Sequence, residues 1–349
     1  MHVVIVGATG NVGTSLVRAL SEASEVESIL AMARRAPSWD PPKTRWLAAD
    51  IRTADLRKHF EGADAVVHLA WAIQPARDQS LVEATNVGGS QRVFRAAAEA
   101  RVPALVYASS VGAYSPGPKD RRVDESWPTE GISSSFYSRH KVLVERLLDR
   151  FEREVDGTRV VRLRPGLIFK GEAATEVRRL FAGPFLPGFV VDRRLIPLVP
   201  DLAGLRAQAV HSLDVGNAYR AATLRDVSGA FNIAAEPVLD SAALGRLLGA
   251  RPVRAPTALV RAVTGLSWRL RLQPTPPGWL DMALQVPLMD TSRARRELDW
   301  EPRRSSLEAV QELLEGVRRG DGLDTPPLDP DTSGPLRERE IRTGIGSRT

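Results

Sequence analysis

Short apolar runs alternate with amphipathic stretches over the first two-thirds of the chain. His2–Val6 is an apolar run closed by a glycine, the pattern of a strand buried on both faces. Asn11–Ser21 then carries helical periodicity. Ser28–Ala33, Arg45–Ala49 and Asp64–Leu69 read as strands, Asp78–Ala100 as a long helix, Ala104–Ser109 as a strand, Phe136–Val155 as a long helix and Arg159–Leu163 as a sixth strand. Repeated βα units of this length predict an α/β fold built on a doubly wound parallel sheet.

After Pro165 the pattern changes. Gly171–Arg206 is rich in Pro, Gly and Phe without clean periodicity. Val210–Arg225 reads as a helical unit and Ala230–Ala234 as a short strand. Asp240–Leu248, Thr257–Leu272, Pro277–Gln285, Thr291–Leu298 and Ser305–Arg319 read as helices with proline punctuation. The division expected is a dinucleotide-binding domain over 1–170, to which 207–235 returns. A smaller, mostly helical substrate lobe covers 171–206 and 236–319. Residues 320–349, rich in Pro, Gly, Asp and Arg, are expected to form a flexible tail.

Composition narrows the chemistry. The 349 residues contain no cysteine, which excludes disulfides, thiolate nucleophiles and cysteine-ligated metals. The net charge is +6, but its arginine doublets are scattered and interleaved with acids, so no nucleic-acid stripe is expected. No apolar run reaches the roughly 20 residues of a membrane helix, and no leader pattern precedes the first strand. The expectation is a cytoplasmic protein with a small-molecule substrate, no membrane partner and no metal. His68, His140 and His211 are not spaced as ligands and read as structural.

Two motifs carry the chemistry. Gly7-Ala8-Thr9-Gly10-Asn11-Val12-Gly13 follows a strand and opens a helix, the context of a dinucleotide-binding loop. Gly7 permits the tight turn, Gly10 the approach of a pyrophosphate and Gly13 close helix packing, with the helix N-terminus offering free N–H groups to phosphates. Tyr137 and Lys141 stand four apart in a helical stretch and share a face. A positive charge beside a phenol lowers its pKa from roughly 10 toward the range useful for proton transfer. Only five of the 48 basic residues are lysines, so Lys141 comes from a small pool.

Together these segments resemble an extended short-chain dehydrogenase/reductase, of the NAD-dependent epimerase/dehydratase type and closer to the dihydroflavonol-type reductases. The likeness runs from Met1 to about Arg319. Asp50-Ile51, His68-Leu69-Ala70, Asn86-Val87-Gly88-Gly89, Ser109-Ser110 leading to Tyr114, Arg164-Pro165-Gly166, Val210-His211-Ser212-Leu213-Asp214-Val215 and Leu298-Asp299-Trp300-Glu301-Pro302 match in order, with Asp299 where the family has glycine. The resemblance implies a Rossmann-like fold and a Ser110, Tyr137, Lys141 triad, with Ser109 the alternative serine. It makes Tyr137 the general acid/base and gives Lys141 the nicotinamide ribose as well as the tyrosine pKa. It puts Asp50 and Ile51 near the adenine, and Leu69, Ala70, Pro165 and Ile168 beside the cofactor along with Gly7, Thr9, Gly10, Asn11, Val12 and Gly13. Asn86 would hold a water or a backbone kink near the lysine. A homodimer through the two long helices is implied in the same way.

Arg34 and Arg35 end the second strand, and no acid stands between Ile29 and Arg35. Arginine there accommodates a 2′-phosphate, where an acid would grip a ribose diol. NADP(H) is therefore favoured, with NAD(H) the alternative. The function expected is hydride transfer to or from a carbonyl or secondary alcohol. A nucleotide-sugar epimerase or dehydratase with tightly held NAD(P) is the second reading, weakened because Arg164-Pro165-Gly166-Leu167-Ile168-Phe169 lacks the Arg-x-x-Asn of many such enzymes. A non-catalytic NADP-sensing protein is the third. Phe181, Phe185, Leu186, Phe189, Leu195, Trp268 and Trp279 would supply an apolar or aromatic pocket wall.

Overall fold

A computed structural model describes residues 1–73, 79–183 and 197–333. Seven strands form one parallel sheet: β1 (His2–Val6), β2 (Ser28–Ala33), β3 (Thr44–Ala48), β4 (Ala65–His68), β5 (Ala104–Ala108), β6 (Arg159–Pro165) and β7 (Gly229–Ile233). Their order is β7-β6-β5-β4-β1-β2-β3. The chain winds one way from β1 to β3, then returns past β1 to build β4–β7, so the switch point lies between β1 and β4, where such sheets bind ligands at the carboxyl ends.

The period-two pattern divides the core. Val3, Ile5, Ala31, Val67, Val106 and Val161 face one way, against α1 (Asn11–Ser21) and a helix at Ser212–Leu224. Val4, Val6, Met32, Val66, Leu105 and Val160 face the other, against α2 (Gly89–Glu99) and α3 (Phe136–Glu154). Strands buried on both faces explain why His2–Val6 reads as an unbroken apolar run.

The long helix expected over Asp78–Ala100 is interrupted: Ser80–Glu83 is α-helical, Ala84–Gly88 is a π-turn, and α2 follows. Asn86 supplies the reason. Its Oδ1 accepts from Ala72 N at 2.7 Å and its Nδ2 donates to Ala72 O at 2.9 Å, so the extra residue of the π-turn points this amide at the chain leaving β4. Asp78 lies outside the described residues. The expected helix at Val210–Arg225 begins with a short strand, Ala209–His211, which pairs with Leu167–Phe169.

The tail expected at 320–349 is folded over at least part of its length. Asp321–Asp329 turns back onto the phosphate loop: Thr325, 1% exposed, donates to Thr9 O at 3.0 Å, and Leu328 is fully buried. Thr175 and Arg179, on the helix Ala174–Phe181, donate to Asp321 O and Pro327 O. Residues 334–349 lie outside the described residues.

Candidate active site

The loop after β1 is shaped by contacts only glycine allows. Gly7 sits at φ +94°, and a Cβ there would meet Ala70 N at 2.5 Å; a Cβ on Gly13 would meet Gly7 O at 2.4 Å. Gly10 differs. A Cβ there would find only Gly7 O at 3.9 Å, so the protein leaves open space above this backbone. Helix α1 has no side-chain cap, so its first-turn N–H groups face that space with the positive end of the dipole. Asn11 donates to Ile168 O at 3.2 Å, while its Oδ1 is buried without a partner. Uncapped N–H groups under an open glycine fit a dinucleotide pyrophosphate.

At the rim beyond β2, Arg34 and Arg35 are exposed. Asp50 does not project freely toward this rim. Its carboxylate is held in a fork by Arg52, with Nη2 to Oδ2 at 2.6 Å and Nε to Oδ1 at 3.1 Å, which lowers its pKa. Ile51 is buried against Gly89. An acid from the folded-back segment, Asp324, accepts a hydrogen bond from Ser38, three residues after Arg35.

Helix α3 begins at the Ser135 cap, whose hydroxyl accepts from Ser138 N at 3.3 Å, and this start places Tyr137 and Lys141 one turn apart. The two serines after β5 diverge. Ser110 Oγ accepts from Gly112 N at 3.0 Å and lies close enough to Tyr137 to draw its pKa down, whereas Ser109 donates to Glu145 Oε1 at 2.5 Å. Lys141 is 2% exposed. Its Nζ donates to Ala108 O at 2.6 Å and lies 3.4 Å from the centroid of the Trp71 ring, a close cation–π contact. Trp71 also meets Tyr137 edge-on, and its Nε1 is buried without a partner.

Electrostatics at the pair departs from the sequence expectation that Lys141 lowers the tyrosine pKa. Burial pushes the Tyr137 phenol up to about 12, with Ser110 pulling it partly back. The same burial drives Lys141 well below its ordinary value, against the opposing pull of Glu145. A lysine whose charge is itself disfavoured gives little help to a neighbouring phenolate. In the chain alone Tyr137 is a firmly protonated donor.

Glu145 is the residue that sequence reasoning missed. It lies one turn beyond Lys141, 1% exposed, and bonds Arg164 twice (3.0 and 3.1 Å), Arg162 at 2.8 Å and Ser109. Two guanidinium groups overcome its burial and hold its carboxyl at about 2. Arg164 turns inward and also reaches the Tyr114 hydroxyl at 3.1 Å; Pro165 closes β6 opposite Ile233. The i,i+4 relation of Lys141 and Glu145 is the signal that was available.

Beside Tyr137 opens a cavity of about 520 Å³. Val111, next to Ser110, lines it, as do Phe181, Trp279, Met282 and Val286. The Trp279 ring lies 4.9 Å from that of Tyr137. Of the other expected wall residues, Trp268 lines a separate depression, and Phe185, Leu186, Phe189 and Leu195 lie outside the described residues.

The sequence profile of the NAD dependent epimerase/dehydratase family matches residues 3–234. The chain belongs to that family. It is 28% identical over 327 residues to an uncharacterised protein of Mycobacterium tuberculosis, covering 93% of this chain and 31% of that protein, so the chain spans about a third of that relative's length. Another uncharacterised protein of M. tuberculosis is 26% identical over 340 residues, 94% of this chain and 86% of the relative. A 3 beta-hydroxysteroid dehydrogenase/Delta 5-->4-isomerase of the same species is 30% identical over 191 residues, 52% of this chain and 50% of that enzyme. Among solved structures, the UDP-glucose 4-epimerase of Thermus thermophilus in complex with NAD has a TM-score of 0.67 at 20% identity, covering 91% of this chain and 99% of that one. A dTDP-glucose 4,6-dehydratase of Streptomyces venezuelae with NAD bound gives 0.66 at 18%, covering 91% and 97%. These two establish likeness of fold.

Proposed function

We propose that the chain is an NADP(H)-dependent oxidoreductase that moves hydride to or from a carbonyl or secondary alcohol with Ser110, Tyr137 and Lys141. The observation that carries this reading is Tyr137 standing between Lys141, whose Nζ lies 5.7 Å from its ring centroid, and Trp279 of the cavity wall at 4.9 Å; Ser110 adjoins the lining residue Val111, and the loop after β1 leaves open space at Gly10. When bound, the nicotinamide supplies the hydride. Tyr137, protonated at neutral pH, donates a proton to the substrate oxygen as reduction proceeds, and Ser110 holds that oxygen against the phenol. Lys141, anchored on Ala108 O, offers its remaining N–H groups toward the ribose.

Arg34 and Arg35 favour NADP(H) because β2 ends without a carboxylate. Relatives of known ligand whose structures carry NAD are under 25% identical and do not bear on this choice. Titrating the chain with NADPH and NADH tests it: NADPH is expected to bind at least tenfold tighter, and equal affinity would remove the 2′-phosphate assignment. Tyr137→Phe is expected to lower kcat/KM for a carbonyl substrate by roughly 10²–10⁴ while leaving NADPH affinity within about twofold. Full turnover by that variant would refute the acid/base role.

A further inference from the structure

We infer that the substrate is a large, uncharged, apolar ketone or its secondary alcohol, of bicyclic size or greater, and not a nucleotide sugar. The inference rests on the hydride-transfer reading above and names its substrate class. The cavity of about 520 Å³ falls within the roughly 300–1,000 Å³ that holds drug-sized ligands. Among the described residues no charged side chain lines it. A diphosphate carries charge that must be matched by cations or oriented donors when it leaves water, and this wall offers neither.

The polar side chains among the described lining residues already hydrogen-bond within the protein, the hydroxyls through their O–H. Gln208 donates to Met289 O at 3.1 Å and accepts from Met289 N at 2.6 Å. Gln273 donates to Thr264 O, Ser267 Oγ and Thr275 O and accepts from Thr275 N. The hydroxyls of Thr264, Ser267 and Thr275 donate to the carbonyls of Val260, Thr264 and Phe181. A sugar entering here would exchange many water hydrogen bonds for the few acceptor lone pairs that these oxygens retain. At one end of the described wall, Tyr137 stands 4.9 Å from Trp279 and Ser110 adjoins Val111, which places two hydroxyls beside the apolar lining. A cavity apolar along its length with one polar terminus selects a molecule of the same pattern. The apolar surface also continues outward: Val263 lines the cavity and is 58% exposed, on the same helix as the exposed Leu259 and Leu266.

The test is a panel of ketones with NADPH, comprising two- to four-ring apolar ketones, small polar ketones and UDP-sugars. It is run on the wild type and on Ala283→Trp, which fills the cavity, and Val263→Glu, which puts a charge at its exposed edge where folding is not at risk. Binding of a polycyclic ketone to the NADPH-loaded protein is measured by calorimetry alongside turnover. The expected result is kcat/KM at least 100-fold higher for the polycyclic ketones than for the small polar ones, lost at least 30-fold in both variants with NADPH affinity unchanged. Preference for UDP-sugars, or equal kcat/KM for large and small ketones, overturns the assignment while leaving hydride transfer standing. Polycyclic ketone binding that both variants abolish, without turnover of any ketone, upholds the cavity assignment and sinks the hydride-transfer reading. Failure to bind any apolar ketone overturns the inference outright.

Discussion

Two kinds of residue build the site, and they differ in how openly the sequence displays them. Gly7 and Gly13 are legible because the spacing of glycines between a strand and a helix has one steric meaning, and the close approaches to Ala70 and Gly7 O bear it out. Glu145 was not legible. It sits among Arg146, Arg150 and Arg153 in a helix that reads as a solvated charged face, and its real partners, Arg162 and Arg164, come from a strand whose position is set by the whole sheet. Its contribution is measurable by pH. The carboxyl titrates near 2 in the folded chain against 4.5 unfolded, so the stability it contributes is present above about 4.5 and is lost as the pH falls through 2. The shift amounts to about 3 kcal/mol, visible as a falling midpoint of urea unfolding across that window. Glu145→Gln should flatten this slope. At neutral pH it should destabilise by about 3 kcal/mol, because it strands the buried Arg164 guanidinium, while Arg162 keeps Asp149 and Glu152; a neutral effect there would mean that the ion pair contributes little.

Elements follow from periodicity where their causes are local. The helix at Ser306–Arg319 carries a capping box in its own sequence, Ser305 with Glu308, and Pro277–Gln285 begins at a proline. The π-turn at Ala84–Gly88 has a non-local cause, the two bonds from Asn86 to Ala72, and no period in the sequence announces it. Asn86→Ala should cost about 1–3 kcal/mol by leaving the Ala72 backbone unpaired. It should also weaken NADPH binding, since Ala72 adjoins the Trp71 that covers Lys141; thermal unfolding and a cofactor titration read the two effects. Asp299 illustrates the opposite case. It ends the helix Ser292–Leu298 at φ +50°, the left-handed region, where the family pattern has glycine. Asp299→Gly should stabilise the chain by about 0.5–1 kcal/mol, less the small loss of the exposed Arg225 pair. A lowered Tm would contradict the strain argument.

At the scale of the whole molecule, the parallel sheet and its switch point were readable from alternating βα units, whereas the fold-back of Asp321–Asp329 was not. That segment has the composition of a loose tail, and its anchorage comes from Thr325, Leu328 and the bonds of Thr175 and Arg179 to its carbonyls, all made with distant parts of the chain. The fold-back also bonds Asp324 to Ser38, three residues beyond Arg35 in the chain. Asp324→Asn is therefore expected to tighten NADPH roughly two- to fivefold at low salt, with little change for NADH; an equal effect on both cofactors would show that Asp324 acts on packing and not on the 2′-phosphate. Whether the assembled site moves hydride at all is decided most directly by a label. The chain is given NADPH deuterated on the transferred position together with a polycyclic apolar ketone, and the product is analysed by mass spectrometry. The account predicts one deuterium in each alcohol formed, stoichiometric loss of NADPH, and neither in Tyr137→Phe. Unlabelled product with the cofactor unconsumed would contradict it.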